Sequence, residues 1–462
     1  MTTLENHRNS LTGRRVLWVL VIVLVSFAVR MGTAHFVAEH LQDAGWFQFG
    51  SYAIFDERAQ GILDGEEPAF FLTEASRTDL IQYPPAFPVL IGIVYTVTGE
   101  RSAYAVHRVQ WPLDAVISPI LILGIAVTVF GWRAGWAAGS MAALSPLLAF
   151  YGVTPSADAV TAWIVLAGTW LLLLAAKKAR WQIAVAAGAV FGLACWFRVN
   201  PLFVVAAAGV AMMVALALPF RERMRLFGAL ILGTALLVAP ILVRNVIVYR
   251  EFVLTGLSFG VNLWEGLGET ELGRENGFQY GDDLMLQVER VELGRPDDVS
   301  IRPFWPDGIS RDRERARRAL AFIGQHPVWY SGVMLRRMYW MLKIAGEPGP
   351  YYGTAGINCT AAKCLPESQR SGFIAAGTTV LGGVQSVYRY LAMFFAAGGI
   401  AAGLIFYRHL TWVLLAIVLY YLVSSSVGHT ELRYVLPMHG VLIVFSGFAI
   451  DRLMAAFKAV GS

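Results

Sequence analysis

The run VLWVLVIVLVSFAVRMGTAHFV, residues 16 to 37, carries one fully charged side chain, Arg30. At 1.5 Å of rise per residue, such a run is long enough to cross the hydrocarbon core of a bilayer, about 30 Å, as a single helix. Arg14 and Arg15 stand just before it. No small-residue cleavage site follows it, so it reads as a retained membrane helix rather than a signal peptide. The rest of the chain has the same character. Of 462 residues, 56% are hydrophobic and 15% charged, a balance that a soluble globule of this size does not carry. The sequence is that of an all-α polytopic membrane protein. Its net charge of +5 lies mostly in short loops between apolar runs, as topology signals do, so nucleic-acid binding is not implied.

Counting outward from the first run gives ten spans, near 16–37, 109–130, 134–153, 157–176, 182–199, 201–220, 226–246, 387–406, 411–428 and 434–453, with an error of about two that admits eleven or twelve. If each crosses once, Arg14 and Arg15, Arg133, Lys177, Lys178 and Arg180, Arg221, Arg223 and Arg225, Arg408, and Arg452 and Lys458 fall on one side. The positive-inside rule then places both termini in the cytoplasm. PPAFPVLIGIVYTVTG, residues 84–99, is short for a crossing, and counting it as one would invert every later loop; it reads as a helix at the outer interface.

Two large extracytoplasmic loops remain, 38–108 and 247–386. The chain thus divides into an N-terminal membrane core, 1–246, a loop domain, 247–386, and C-terminal membrane helices, 387–462. Within the second loop, SRDRERARRALAFIGQHPVWYSGVMLRRMYWMLKI (310–344) begins as a charged helix and continues with aromatic and basic residues. That later part suits a helix resting on the membrane, or equally one packed on its own loop domain. Cys359 and Cys364 are close enough in sequence for one bridge outside the cytoplasm, and Cys195, in an apolar run, reads as packing. Asn358-Cys359-Thr360 fits a glycosylation sequon, but a match this short arises by chance too often to use.

This topology places Arg30, Asp114, Asp158, Arg198, Arg244, Glu431 and Arg433 in the outer half of the membrane or at its outer boundary. Each charge there is costly, about 2.5–3.5 kcal/mol at the bilayer centre, so such residues persist where they pair, line a wet cavity or snorkel. The expected arrangement is one polar cavity open to the outside and roofed by the two loops. Arginines at that depth suit a lipid phosphate or pyrophosphate, and a carboxylate beside them can take a proton from an acceptor hydroxyl. The first loop offers such acids in YAIFDERAQGILDG (52–65), where Asp56 and Glu57 are adjacent. They could equally solvate a loop helix. No Gly-rich phosphate loop follows a strand, so nucleotide donors are not expected.

Several segments resemble membrane glycosyltransferases of the GT-C fold, the broad group of protein O-mannosyltransferases and bacterial aminoarabinose transferases. They are ERAQGILDG after the early acid, YPPAFPVLIGIVYTVTG, GWRAGWAAGSMAALSPLLAFYGVTPSADA, GLACWFRVNP, PILVRNVIVYREFVLTGLSFGVNLWEG, AFIGQHPVWYSGVMLRRMYW and ELRYVLPMHG, in that order. The resemblance implies a polyprenyl-phosphate sugar donor in the plasma membrane and an acceptor hydroxyl on a glycan, lipid or protein, joined by direct displacement at the anomeric carbon with an active site outside the cytoplasm. It makes a first-loop acid the base. Asp56 is the first choice and Glu57 the second, but relatives place the acid farther upstream, where Ser51 stands here, so Asp43 stays open too. Asp158 falls at a second acidic position, either positioning the acceptor or holding a divalent ion, although PSAD before an apolar helix also suits an N-cap. Arg198, Arg244, Arg433 and Tyr83 are the expected donor-phosphate and lipid contacts.

Metal binding is poorly supported by these spacings: no cofactor is certain, and a divalent cation, held near the donor phosphate by Asp158 or shared by Asp158 and Glu57, stays open. His35 and His40 point to different helix faces, Glu39 could share a face with His35 only as a pair, and His429 and Glu431 read as surface polar residues. The rival class, a transporter or flippase, often shows repeated halves, which this lopsided layout lacks.

Overall fold

In the computed structural model, residues 2–41, 47–66, 84–254, 256–303, 307–343 and 371–460 are described. Tyr83, Asp43, Cys359, Cys364 and the sequon at Asn358 lie outside them. The described chain is helical, running α1 Thr2–Ala38, α2 Phe47–Leu63, α3 Ala86–Thr98, α4 Ala103–Phe130, α5 Trp132–Leu144, α6 Pro146–Val153, α7 Ala157–Lys178, α8 Trp181–Ala194, α9 Pro201–Ala215 and α10 Phe220–Tyr249. Then come α11 Phe259–Gly268, α12 Glu271–Glu275, α13 Asp282–Glu292, α14 Gly308–Gln325, α15 Pro327–Lys343, α16 Gly372–Phe406, α17 Arg408–Ser426, a 3-10 turn Leu432–Val435 and α18 Leu436–Val460.

Each of the ten expected spans lies on a helix, but not all are full crossings. Among the described residues seven helices are long and apolar enough to span a bilayer, and α5 with α6 forms an eighth candidate bent by 57°. Ser145 and Pro146 cause that bend. The serine accepts from Leu148 N at 3.3 Å and the proline opens α6, so the ladder of α5 stops there and a new helix starts. Helices α8 and α9, 14 and 15 residues long, fall short of the expected 182–199 and 201–220. At 1.5 Å per residue each reaches only about 21–23 Å. The turn 195–200 between them, which carries Arg198, therefore ends two helices that are each shorter than a full crossing. Helix α3, 13 residues, is too short to cross, in keeping with the interfacial reading of 84–99.

The bundle packs α4, α5, α7, α8, α17 and α18 around one apolar core. Helices α8 and α10 approach through glycine: a Cβ on Gly188 would lie 2.0 Å from Leu230 O, and one on Gly233 2.0 Å from Val185 O. Small residues that let backbones touch are how helices associate where lipid removes the hydrophobic drive. A second cluster joins Tyr52, Phe55 and Ala59 of α2, Phe87, Ile91 and Tyr95 of α3, and Ala157 and Val160 at the start of α7. A third unites α11, α14 and α15 through Val261, Trp264, Leu267, Ala319, Phe322, Tyr330 and Val333. Helix α15 thus buries one face on the loop domain while Val328, Leu335 and Tyr339 stay exposed on the other.

Candidate functional site

The start of α7 gathers the site. Ser156 occupies the N-cap position without making a side-chain cap, and Asp158 lies in the first turn, 4% exposed. Its Oδ2 accepts from Arg198 Nη2 at 2.5 Å and lies 3.9 Å from Arg433 Nε. Asp158 is thus an ion-pair partner and not a cap, stabilised further by the positive end of the α7 dipole. Arg198 comes from the turn between the two short helices and Arg433 from the 3-10 turn before α18. Tyr434 spreads its ring beneath both guanidinium groups, with its centroid 5.7 Å from Arg198 Cζ and 5.4 Å from that of Arg433. Glu431 pairs with Arg433 at 2.5 Å. Four of the seven charges expected in one cavity, Asp158, Arg198, Glu431 and Arg433, therefore meet.

The others pair elsewhere. Arg30 and Asp114 form a buried ion pair at 2.7 Å inside the core, with 0% and 2% side-chain exposure. Trp163 Nε1 at 2.7 Å and Ser118 Oγ also donate to Asp114, and Arg30 caps Ala143 O at 3.0 Å. Both carboxylate oxygens are engaged by protein donors, so this is a packing element rather than cavity lining, which corrects the single-cavity expectation for these two. Arg244, 1% exposed, bonds Asn245 Oδ1 at 2.6 and 3.1 Å, and Asn245 in turn donates to Val253 O at 2.8 Å.

Asp56 lies half-buried on α2. Tyr95 Oη donates to its Oδ1, Gln60 Nε2 to its Oδ2 at 3.0 Å, and Tyr52 Oη meets Tyr95 Oη at 2.7 Å. Glu57 is exposed. The α2–α3 cluster carrying Asp56 includes Ala157, next to Asp158, with Phe197, next to Arg198, packed against it. Ala86 N bonds Trp196 O at 3.0 Å, tying α3 to the Arg198 turn.

The reading of His429 as a surface residue is corrected. It is mostly enclosed, its side chain 10% exposed, between two carboxylates, Nδ1 lying 2.5 Å from Glu269 Oε1 and Nε2 3.2 Å from Glu431 Oε1. Burial disfavours the imidazolium, but these two bonds outweigh it and hold His429 well above the ordinary histidine range. Glu431 is likewise opposed by burial and pulled down to about 2 by Arg433 and His429. Glu265, one turn before Glu269 on α11, is pushed up to about 7, chiefly by burial, with Asp282, Glu269 and Glu431 adding to it against His429. Glu265, Glu269 and Arg337 were missed from sequence. Only the Glu265-Glu269 spacing of four, one helix face, gave a local signal.

Asp158 is a poor cation ligand, because two guanidinium groups already face its carboxylate. Among the described residues no group of three or more His, Cys, Asp or Glu side chains is arranged to hold a metal. The residues do not fit the divalent ion considered for Asp158 and Glu57.

Residues 82–248 match the family model of dolichyl-phosphate-mannose-protein mannosyltransferases. No curated protein matches the chain. Solved structures are similar to it at fold level. The apo oligosaccharyltransferase of Archaeoglobus fulgidus superposes with a TM-score of 0.53 at 12% identity, over 96% of this chain and 52% of that one. The archaeal oligosaccharyltransferase AglB of the same organism, in complex with an inhibitory peptide and a dolichol-phosphate, gives 0.50 at 14%, over 96% and 51%. A third structure, the Archaeoglobus fulgidus enzyme with zinc and sulfate, gives 0.50 at 13%, over 95% and 49%. The chain spans about half the length of these structures. It is a multi-pass membrane protein with the GT-C fold, and the resemblance to GT-C membrane glycosyltransferases stands.

Proposed function

We propose that the protein is a membrane glycosyltransferase that moves a sugar from a polyprenyl-phosphate donor to an acceptor hydroxyl, with both termini in the cytoplasm and the site on the extracytoplasmic side. The observation that carries this reading is the convergence of Arg198 and Arg433 on Asp158 at the ends of apolar helices, over the ring of Tyr434. Asp158 engages only Nη2 of Arg198 by hydrogen bond, so further N–H groups of that guanidinium are left to bind a lipid phosphate. The dolichol-phosphate bound by the neighbouring AglB and the family match over 82–248 support that choice of donor.

In this reading the acceptor oxygen attacks the anomeric carbon as the carbon–oxygen bond to phosphate breaks. The bonding pair leaves with the polyprenyl phosphate, and the hydroxyl proton passes to a first-loop acid. Asp56 suits the base better than the exposed Glu57, because Tyr95 and Gln60 fix its orientation. Arg198 and Arg433 offset the charge developing on the leaving phosphate, and Arg244 is the third donor-side candidate. One displacement inverts the anomeric centre. The acceptor, whether glycan, lipid or protein, and the choice between a hexose and a pentose follow from assay. The test is to incubate membranes containing the protein with a panel of labelled polyprenyl-phosphate sugars. Label should leave the lipid for at least one donor and stay with Asp56→Asn. Turnover by Asp56→Asn and Glu57→Gln alike would remove the base assignment, and lipid movement across the bilayer without sugar transfer would favour a flippase.

A further inference from the structure

The charges around Asp158 do not stop at the membrane core. Glu431 faces two cations, Arg433 at 2.5 Å and His429 at 3.2 Å, and His429 reaches back to Glu269 at 2.5 Å. The second oxygen of Glu269 pairs with Arg337 Nη2 at 2.9 Å. A line of alternating charge therefore runs from Arg337 on α15, through Glu269 at the end of α11, His429, Glu431 and Arg433, to Asp158 and Arg198. The backbone is locked along the same line. His429 N donates to Asn262 O at 2.7 Å, Arg337 also donates to Gly266 O and to Ser426 O at 3.2 Å, and Tyr330 Oη donates to Val427 O. A Cβ on Gly266 would lie 2.7 Å from Gly428 C and from His429 N. The loop domain thus grips the segment that presents Glu431 and Arg433.

Within this line His429 has the ordinary pKa closest to neutrality. The groups facing it are Glu265 and Glu269 from α11, Tyr280 and Asp282 from the start of α13, Arg337 from α15, and Glu431, Arg433 and Tyr434 from its own segment. We propose that His429 is a positioning residue for the donor phosphate: as an imidazolium it shares the Glu431 carboxylate, and so limits how completely Glu431 neutralises Arg433. The inference rests on the lipid-phosphate reading above. Arg433 already holds both Glu431 oxygens, Nε on Oε2 at 2.5 Å and Nη2 on Oε1 at 2.9 Å, and His429 shares Oε1; when His429 is neutral or replaced, Arg433 alone balances that carboxylate and the site loses positive charge where the phosphate binds.

The experiment measures the Kd of a fluorescent polyprenyl phosphate for the full chain in nanodiscs, with donor KM and kcat alongside. His429→Gln should weaken phosphate binding and raise donor KM by about tenfold, with kcat little changed. His429→Lys, which restores a cation between the carboxylates, should recover most of the loss. Glu269→Gln, which removes one of the two carboxylates that keep His429 charged, should lower the pH at which phosphate affinity is lost. The unsubstituted protein should lose phosphate affinity as alkaline pH discharges His429, and His429→Lys should hold it to higher pH. Equal Kd for the unsubstituted protein and His429→Gln overturns the inference, as does a pH-independent Kd in the unsubstituted protein when the variants do not fold. Absence of phosphate binding and turnover in the unsubstituted protein overturns the lipid-phosphate reading instead.

Discussion

Replacing Asp114 by Asn tests whether the Arg30–Asp114 pair belongs to the core or to a polar cavity. At 2.7 Å, with an effective dielectric near 20, the two charges attract by about 6 kcal/mol. Much of that offsets their desolvation, since neither side chain is more than 2% exposed. Asp114→Asn strips the partner but leaves Arg30 buried, so the expected loss of stability is about 3–5 kcal/mol. Arg30→Met with Asp114→Leu removes both charges. It leaves Trp163 Nε1 without its acceptor, at about 1–3 kcal/mol, so the double variant should be more stable than Asp114→Asn. The assay is a denaturant titration of the purified protein in detergent, followed by tryptophan fluorescence, with donor turnover measured in parallel. The double variant should keep its turnover, because neither residue reaches the Asp158 cluster. Asp114→Asn within 1 kcal/mol of the unsubstituted protein would refute the reasoning, since a charge in a wet cavity loses little when its partner goes. So would a double variant less stable than Asp114→Asn.

Asp158→Asn should lower turnover about 100-fold with the fold intact, because it frees Arg198 from its geometry; kcat and KM for the donor check this. Arg337→Met should cost about 3–5 kcal/mol by taking the Arg337 bonds away from Glu269 Oε2 and two carbonyls, and Arg337→Lys should not restore it, both read by thermal unfolding. Gly266→Ala should cost about 1–3 kcal/mol on the same assay, through its clash with Gly428 and His429. Stability against pH should follow the shifted groups. The depressed Glu431 contributes above 4.5 and its share is lost as pH falls through about 2, whereas His429 contributes below 6.5 and its share is lost as pH rises through its raised value. Glu265, raised to about 7, contributes below 4.5 and loses that share on the way up to neutrality, so Glu265→Gln should flatten the slope between 4.5 and 7 in a pH series of melting curves.

Hydropathy and length placed each of the ten expected spans on helix, because a bilayer imposes one dimension that can be counted along a chain; among the described residues seven helices, or eight with the bent pair, are long enough to cross. The resemblance to GT-C enzymes also came from residues in order. Asp158, Arg198, Glu431 and Arg433 could be named as outer charges for the same reason: each interrupts an apolar run or ends one. Which charges share a site was not legible. Arg30 and Asp114 sit in runs that look no different from that of Asp158, yet the rotation of α1 against α4 turns them toward each other. The bend at Ser145-Pro146 and the shortness of α8 and α9, which puts Arg198 in a turn, are not visible to a hydropathy count. Glu269 and Arg337 lie in a loop domain whose helices read as ordinary charged or amphipathic stretches. Where apolar helices fall along the chain is set by local composition, so the sequence determined it; pairing between distant charges depends on how helices rotate and cross as they pack, and only the tertiary structure decided that.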